Sequence, residues 1–396
     1  MAFRKLNKCL VCGSRNLKKV LDLNKQPLAN SYLKKKNLNQ KHYELIVNCC
    51  TNCTHLQLSI AVDPKIIYKN YDYVSGTTNT YKKYMKEFYI FCLKNTKITK
   101  LKNILDIGCN DGSQLDVFKK RNFNTLGIDP AKNIFKISSK KHKIICDFFN
   151  YKTVKKIKNK FDIIIAQNSF AHNPDPQNFL NNIKKIMHKN STLFIQTSQA
   201  EMCQNNEFDT IYHEHINFFN VKSMKKLAEN CGLKLHYVEK KQIHGVSYIF
   251  IIKLFSNQKK IKKILNNEKF LNYKFYKKWG QKCLKNVNIL QRNLTKINTK
   301  SKLIGYGAAA KANTFLNFSK VKLDFIVDDN KLKQNKFCPG SKIPIRSIKF
   351  LKNIKENVFI IPLAWNFYKE IKKRVLKVRK NKKDKFIIFY PNFKID

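Results

Sequence analysis

The chain has 396 residues, 43% of them hydrophobic with 29 Phe and 17 Tyr, which is enough for two or three domains with their own cores and excludes a disordered polypeptide. Its longest apolar runs, such as Val358-Phe359-Ile360-Ile361-Pro362-Leu363, fall far short of the ~20 residues of a membrane span, and Met1–Lys5 leads into a cysteine pair with no apolar signal segment, so a cytoplasmic location without a membrane partner is expected. The net charge of +53 comes almost wholly from Lys spread along the chain, with Arg only at 4, 15, 121, 292, 346, 374 and 379; nucleic-acid sites favour Arg forks and local patches, so a nucleic-acid partner is not expected.

The surplus charge has two readings, compositional lysine on permissive surface or a basic face that attracts a phosphorylated substrate. Near the N-terminus, Cys9-Leu10-Val11-Cys12 and Cys50-Thr51-Asn52-Cys53 form two C-x2-C knuckles. Each turns two thiolates toward one point, and together they supply the tetrahedral four-sulfur shell that zinc prefers. With Cys9, Cys12, Cys50 and Cys53 filling every position, the zinc is structural rather than catalytic. Cys49 competes for the second knuckle, but the spacing selects Cys50. The other eight cysteines (Cys49, Cys92, Cys109, Cys146, Cys203, Cys231, Cys283, Cys338) have no strong spacing partner and are read as small buried residues, not disulfides. Between the knuckles, Gln26-Pro27-Leu28-Ala29-Asn30 is a turn-like candidate functional segment.

A polar and aromatic linker, Tyr68 to Thr78, precedes a helix expected over residues 79–96. Five strands follow: Asn103–Ile107 running into the turn Gly108-Cys109-Asn110-Asp111-Gly112, then Thr125–Asp129, Lys143–Asp147, Phe161–Asn168 and Thr192–Gln196. Strands alternating with helices predict a doubly wound α/β sheet with ligands at the carboxyl ends of its strands. The first strand ends in D-x-G-x-x-x-G (Asp106, Gly108, Gly112), which departs from the G-x-G-x-x-G of dinucleotide sites. Asp106 and Asp111 would also oppose a pyrophosphate. Carboxylates suit S-adenosylmethionine instead, a sulfonium with an ammonium and a ribose but no phosphate. Asp129 is then expected on the ribose hydroxyls and Asp147 on the adenine amine, although Asp106 could equally cap its loop and Asp147 could miss the ligand.

The next feature is Phe208-Asp209-Thr210-Ile211-Tyr212-His213-Glu214-His215. It gathers a phenol, two imidazoles and a carboxylate, groups that move protons near neutral pH or bind metal. Residues 256–300 are Lys-rich with helical periodicity and read as a long connecting helix. The chain restarts at Lys302-Leu303-Ile304-Gly305-Tyr306-Gly307-Ala308-Ala309-Ala310-Lys311, and strands at Leu323–Asn330 and Asn357–Pro362 indicate a second, smaller α/β unit. The Gly305–Ala309 turn is either a phosphate or nucleotide loop or an empty structural turn.

These strings together resemble the sugar-nucleotide C-methyltransferases of deoxysugar biosynthesis, which methylate carbon 3 of nucleotide-linked 4-keto-6-deoxy sugars. Three blocks carry the resemblance in order: the four-Cys module with Gln26–Asn30; Asn110-Asp111-Gly112, Asn168-Ser169-Phe170-Ala171-His172 and Tyr212–His215; and Gly305–Lys311 with Asp328-Asp329-Asn330 and Pro339–Pro344. The resemblance implies an N-terminal zinc-binding module, a central class I methyltransferase domain that binds S-adenosylmethionine, and a C-terminal Rossmann-like domain. It implies a structural Zn2+, no catalytic metal, and a nucleotide-sugar partner, dTDP-linked by this analogy. His215 matches the base, Glu214 and Tyr212 its supporting groups, and Tyr73 and His172 further active-site positions. The donor is expected against Asp106, Gly108, Asn110, Asp111, Gly112, Asp129, Asp147 and Asn168.

The expected domains are 1–75 (zinc-binding), 76–255 (methyltransferase), 256–300 (helical connector) and 301–396 (Rossmann-like). His213 has two readings, a packed histidine or a catalytic one, and the same holds for Tyr73 as a domain-junction residue and His172 as a helix cap. Two departures from the family pattern bear on the substrate: Gln196 stands where many relatives have Glu, and His244-Gly245-Val246-Ser247 replaces a Gly-Gly-Ser-like turn. The rival readings are methylation of another acceptor, such as O-methylation in polysaccharide assembly, and a basic nucleic-acid-binding or modifying protein. Monomer and dimer both remain open.

Overall fold

The computed structural model describes residues 2–68, 74–77, 79–198, 201–243, 245–257, 261–297, 301–381, 383–389 and 393–396; Tyr73 and His244, singled out above, lie outside them. The chain forms two compact units, each assembled from non-contiguous stretches. Unit 1 comprises Met1–Lys18, Cys49–Ala200 and Ile216–Tyr273; unit 2 comprises Lys19–Asn48, Glu201–His215 and Lys274–Asp396.

Unit 1 is built on a seven-stranded sheet: β1 (Asn103–Ile107), β2 (Asn124–Ile128), β3 (Lys143–Ile145), β4 (Phe161–Gln167), β5 (Met187–Thr197), β6 (Lys234–Lys241) and β7 (Ser247–Lys253). Their spatial order is 3-2-1-4-5-7-6. The first five are mutually parallel, and β7 joins β5 antiparallel and pairs with β6. All five expected strands are present, and the β6–β7 hairpin adds an antiparallel edge. The order reverses between β1 and β4, so the carboxyl ends of these two strands flank the crevice where ligands bind in such sheets.

The parallel strands read as continuous apolar runs because helices cover both faces. Helix α1 (Asn79–Asn95) covers one face; its Tyr81, Tyr84, Met85, Phe88 and Cys92 recur at helical spacing and pack with Ile163, Ile165 and Phe194. On the other face lie α3 (Pro176–Lys185) and α4 (Val221–Asn230), which follow α2 (Ser113–Lys119) in the chain. Cys9, Val11, Cys50 and Cys53 share that core with Phe219, Met224 and Leu227, so the cysteine knuckles are part of the sheet's own packing.

Unit 2 contains most of the long helix α5 (Tyr273–Leu294) and a six-stranded sheet of β8 (Lys302–Tyr306), β9 (Phe325–Val327), β10 (Ile345–Arg346), β11 (Val358–Pro362), β12 (Lys385–Ile388) and β13 (Lys394–Ile395). The order is 10-9-8-11-12-13, parallel throughout except for the last pair. Helix α6 (Ala310–Ser319) follows β8, and α7 (Tyr368–Arg379) precedes β12. The expected long connector is two helices, Lys262–Asn267 and α5. Gly280 of α5 admits close backbone approach: a Cβ there would lie 1.9 Å from the Val20 carbonyl oxygen.

Seven of the eight cysteines read as buried are buried, but Cys146 is exposed. It follows the last residue of the short edge strand β3, past the point where the sheet covers it.

Candidate functional site

The four knuckle sulfurs lie within 4.8 Å of one another, with Cys9 and Cys53 Sγ 3.5 Å apart and Cys12 and Cys50 Sγ 3.6 Å apart. A tetrahedral zinc with ~2.3 Å Zn–S bonds requires edges of about 3.8 Å, so the set fits the ion. The two knuckles close alike: Gly13 N donates to Cys9 O and Thr54 N to Cys50 O, both 2.9 Å, with Gly13 and Thr54 at φ +76° and +63°. A β-branched residue in that region needs support, and the Asn220 amide bonds both the Thr54 carbonyl and its hydroxyl. Without a cation the thiols cannot all ionise: hydrogen bonding to Cys50, with burial, pushes Cys9 up to about 12 and Cys53 further, while Cys50 is pushed down. Cys49 turns away, its Sγ 3.5 Å from the Cys50 carbonyl. Among the described residues, these four cysteines are the one His/Cys/Asp/Glu group arranged to hold a metal.

At the carboxyl end of β1, Gly108 adopts φ +79°, and a Cβ there would lie 2.6 Å from the Ser169 Cβ. Gly112 is also left-handed, and its Cβ would lie 2.9 Å from His142 Cδ2. Both positions therefore require glycine. Asp129 braces the turn between them: Oδ2 accepts from Asn110 N at 2.9 Å and Oδ1 from Ala131 N at 3.0 Å. Asn110 and Asp111 in turn hold the Ser75–Thr77 segment, accepting from Ser75 N and Gly76 N, each at 2.9 Å.

Asp106 is buried, and burial, with the charges of Asp129 and Asp111, raises its carboxyl well above the usual range. Asp129 is raised by burial as well. Clustered, desolvated carboxylates fit a ligand that brings positive charge and hydroxyls, and they oppose a pyrophosphate. When bound, S-adenosylmethionine supplies an electrophilic methyl on a sulfonium. Asp106 and Asp129 would hold it in this cradle, where Gly108 and Gly112 keep the backbone open.

The remaining expected donor residues, Asp147 and Asn168, follow the carboxyl ends of β3 and β4. Asp147 is half-buried just beyond β3, its Oδ1 accepting from Phe148 N. Asn168, at φ +51°, donates its N–H to the Gln196 carbonyl and leaves Oδ1 buried with no hydrogen bond among the described residues. His172 Nδ1 lies 2.8 Å from the Tyr68 hydroxyl, with the rings stacked at 6.1 Å. The Gln196 Oε1 accepts from Tyr84 OH at 2.6 Å and Gln167 Nε2 at 2.9 Å. Tyr68 and Tyr84 were not singled out in the sequence, because no local spacing links them to His172 or Gln196.

Tyr212, Glu214 and His215 belong to unit 2. His215 is buried, its Nδ1 2.6 Å from the Thr210 carbonyl and its ring 4.1 Å from that of Tyr212. A carbonyl only accepts, so Nδ1 carries the proton and Nε2 the lone pair. Burial lowers the imidazole to about 4, which keeps it neutral at physiological pH. The Thr210 carbonyl orients this ring. Glu214 turns to Asn30, whose Nδ2 donates to Oε1 at 2.9 Å, and burial raises its carboxyl above the usual range. His213 packs edge-on to Tyr43 at 5.7 Å, and burial lowers it to about 4.

The Gln26–Asn30 segment thus meets the Tyr212–His215 cluster, a partnership across 184 residues of chain. Helix α6 holds both strings: Asn313 Nδ2 donates to the Ala29 carbonyl at 2.7 Å and Thr314 Oγ1 to the Ile211 carbonyl at 3.0 Å. Trp365 Nε1 adds a bond to Asp209 Oδ2 at 2.8 Å. The Gly305–Ala309 turn is closed by the chain itself, since Ala308 N donates to Asp328 Oδ2 at 2.7 Å.

Three family models match the chain in order: a zinc binding domain over residues 9–68, a methyltransferase domain over 79–238 and a C-methyltransferase C-terminal domain over 242–391. The chain is 24% identical over 388 residues to the C-methyltransferase NovU of Streptomyces niveus, covering 93% of this chain and 92% of that protein. It is 34% identical over 125 residues to the ubiquinone biosynthesis O-methyltransferase of Pelagibacter ubique, covering 29% of this chain and 51% of that one. The magnesium protoporphyrin IX methyltransferase of Synechocystis PCC 6803 aligns at a TM-score of 0.36 and 12% identity, over 49% of this chain and 98% of that chain.

Proposed function

We propose a specific reaction for this chain, which is an S-adenosylmethionine-dependent methyltransferase of the C-methyltransferase family: methylation of carbon 3 in a nucleotide-linked 4-keto-6-deoxy sugar. The observation that carries the proposal is the neutral, tautomer-fixed imidazole of His215 beside Tyr212 and Glu214. A 4-ketone acidifies the C3 proton, and a neutral imidazole is the base suited to take it near pH 7.

His215 Nε2 receives the C3 proton, and the electron pair of the broken C–H bond moves into an enediolate. Tyr212 and Glu214 are assigned to hold the developing charge on the C4 oxygen, as hydrogen-bond donors in a water-poor setting. When bound, S-adenosylmethionine would supply the methyl group for the new C–CH3 bond, its sulfur keeping the electron pair of the S–CH3 bond as a neutral thioether. His172 and Tyr73 are assigned as further acceptor-side residues. Asp106, Gly108, Asn110, Asp111, Gly112, Asp129, Asp147 and Asn168 are assigned to the donor, with Asn110 and Asp111 acting through the Ser75–Thr77 segment.

A dTDP-linked sugar and a cytoplasmic setting complete the proposal; among the described residues no helix is long and apolar enough to cross a membrane. Methylation of an oxygen acceptor is the second reading, favoured by the O-methyltransferase relative over part of the chain. Incubation with labelled donor and a panel of keto sugars separates the two. Carbon methylation gives a C–CH3 signal by NMR and loss of the C3 hydrogen. An O–CH3 signal would overturn the proposal.

A further inference from the structure

We propose that Asn30 is a positioning residue for Glu214: its side-chain amide holds one carboxyl oxygen so that the other, Oε2, is presented to an oxygen of the acceptor. The inference deepens the proposed reaction and rests on it for the acceptor's identity, but the pairing stands on geometry alone.

Asn30 sits on a tight turn, closed by Ser31 N to the Leu28 carbonyl and Tyr32 N to the Asn30 carbonyl, both 3.1 Å. That turn is anchored from below by Asn313, which is buried and donates to the Ala29 carbonyl. The neighbouring Thr314 holds the Ile211 carbonyl, three residues before Glu214. Consecutive residues of one helix thus fix the two partners, and Asn30 Nδ2 meets Glu214 Oε1 at 2.9 Å.

Glu214 Oε2 is buried and has no hydrogen-bond partner among the described residues. A buried carboxyl oxygen left in that state is a group prepared for a ligand. The groups facing Glu214 are Asn30 and Tyr32 from the turn, with His213 and His215 flanking it along the chain; none of them is a cation. Burial therefore holds the carboxyl up, and the Asn30 bond is the first interaction opposing that rise. An amide N–H only donates, so whenever the acid is protonated Asn30 takes its carbonyl oxygen and the proton falls to Oε2. A neutral acid presented this way donates to a ketone or hydroxyl oxygen. An ionised one would repel an enediolate.

Asn30→Asp keeps the size of the side chain and removes the donor. Infrared difference spectroscopy of the full chain, with Glu214→Gln to assign the band, follows the protonated carboxyl against pH. The pairing predicts that Asn30→Asp moves the Glu214 midpoint up by about one pH unit or more, because a bond favouring the anion is lost and a like charge gained. It also predicts a kcat at least 10-fold lower for a keto-sugar acceptor, restored in part by Asn30→Gln, with unchanged donor affinity. An unmoved midpoint overturns the assignment, as does an unchanged kcat in an active enzyme. If the wild type methylates no keto sugar, the reaction assignment fails while the infrared arm still decides the pairing.

Discussion

The Nδ1 of His215 lies 2.6 Å from the carbonyl oxygen of Thr210, five residues earlier on the same loop. A local backbone acceptor, rather than a distant carboxylate, therefore fixes the tautomer of this imidazole. With burial lowering the group to about 4, the ring is a neutral base across the physiological range. The pH dependence of kcat/KM is accordingly expected to show no inflection near the ordinary histidine value of 6.5. A titration at 6.5 that disappears in His215→Asn would contradict this.

The same burial makes stability pH-dependent. His213 and His215 both fall from 6.5 to about 4 on folding, so the unfolded chain binds more protons between those values. The stability is fully present above pH 6.5 and is lost as pH falls toward 4, by up to about 3 kcal/mol per histidine. Urea unfolding at pH 7.0 and 5.0 checks the sign. His213→Phe, which keeps the packing on Tyr43, is expected to flatten the slope.

Zinc removal is expected to unfold unit 1, because Cys9, Cys50 and Cys53 are built into the core beneath its sheet. Metal analysis should find about one zinc per chain. Cys50→Ser is expected to lose the ion and Cys49→Ser to keep it, since Cys49 turns away from the cluster. Equal zinc content in both variants would refute the ligand set.

Gly108→Ala places a Cβ 2.6 Å from that of Ser169, at a φ of +79°. The expected cost is on the order of 1–3 kcal/mol of stability, together with weaker donor binding. Calorimetric titration with S-adenosylmethionine measures the second effect directly. Wild-type affinity in this variant would remove the turn from the donor site.

Thr314→Val preserves shape but removes the hydroxyl that holds the Ile211 carbonyl. The orphaned carbonyl is expected to cost about 1–3 kcal/mol. Chemical denaturation gives the stability change, and a fall in kcat without a change in donor affinity would trace it to the Tyr212–His215 segment.

Much of the α/β architecture was legible in the sequence because each piece has a short-range signature. The C-x2-C knuckles, the apolar runs at Asn103, Thr125, Lys143, Phe161 and Thr192, and the Asp106–Gly112 turn all declare themselves within a few residues. The β6–β7 hairpin did not, since its strands flank His244-Gly245 and lack a tight two-residue turn signal. Nor did the partnership of Asn30 with Glu214. Their contact depends on Asn313 and Thr314, and no local pattern reports a hydrogen bond that spans nearly half the chain. The same reason hides Tyr68 from His172.

The most direct test of the central claim follows the acceptor's C3 hydrogen in D2O with His215→Asn. The wild type is expected both to exchange this hydrogen and to methylate the carbon. The variant should lose both activities by on the order of 10²–10⁴-fold while binding S-adenosylmethionine with wild-type affinity. Full methyl transfer by His215→Asn would contradict the account.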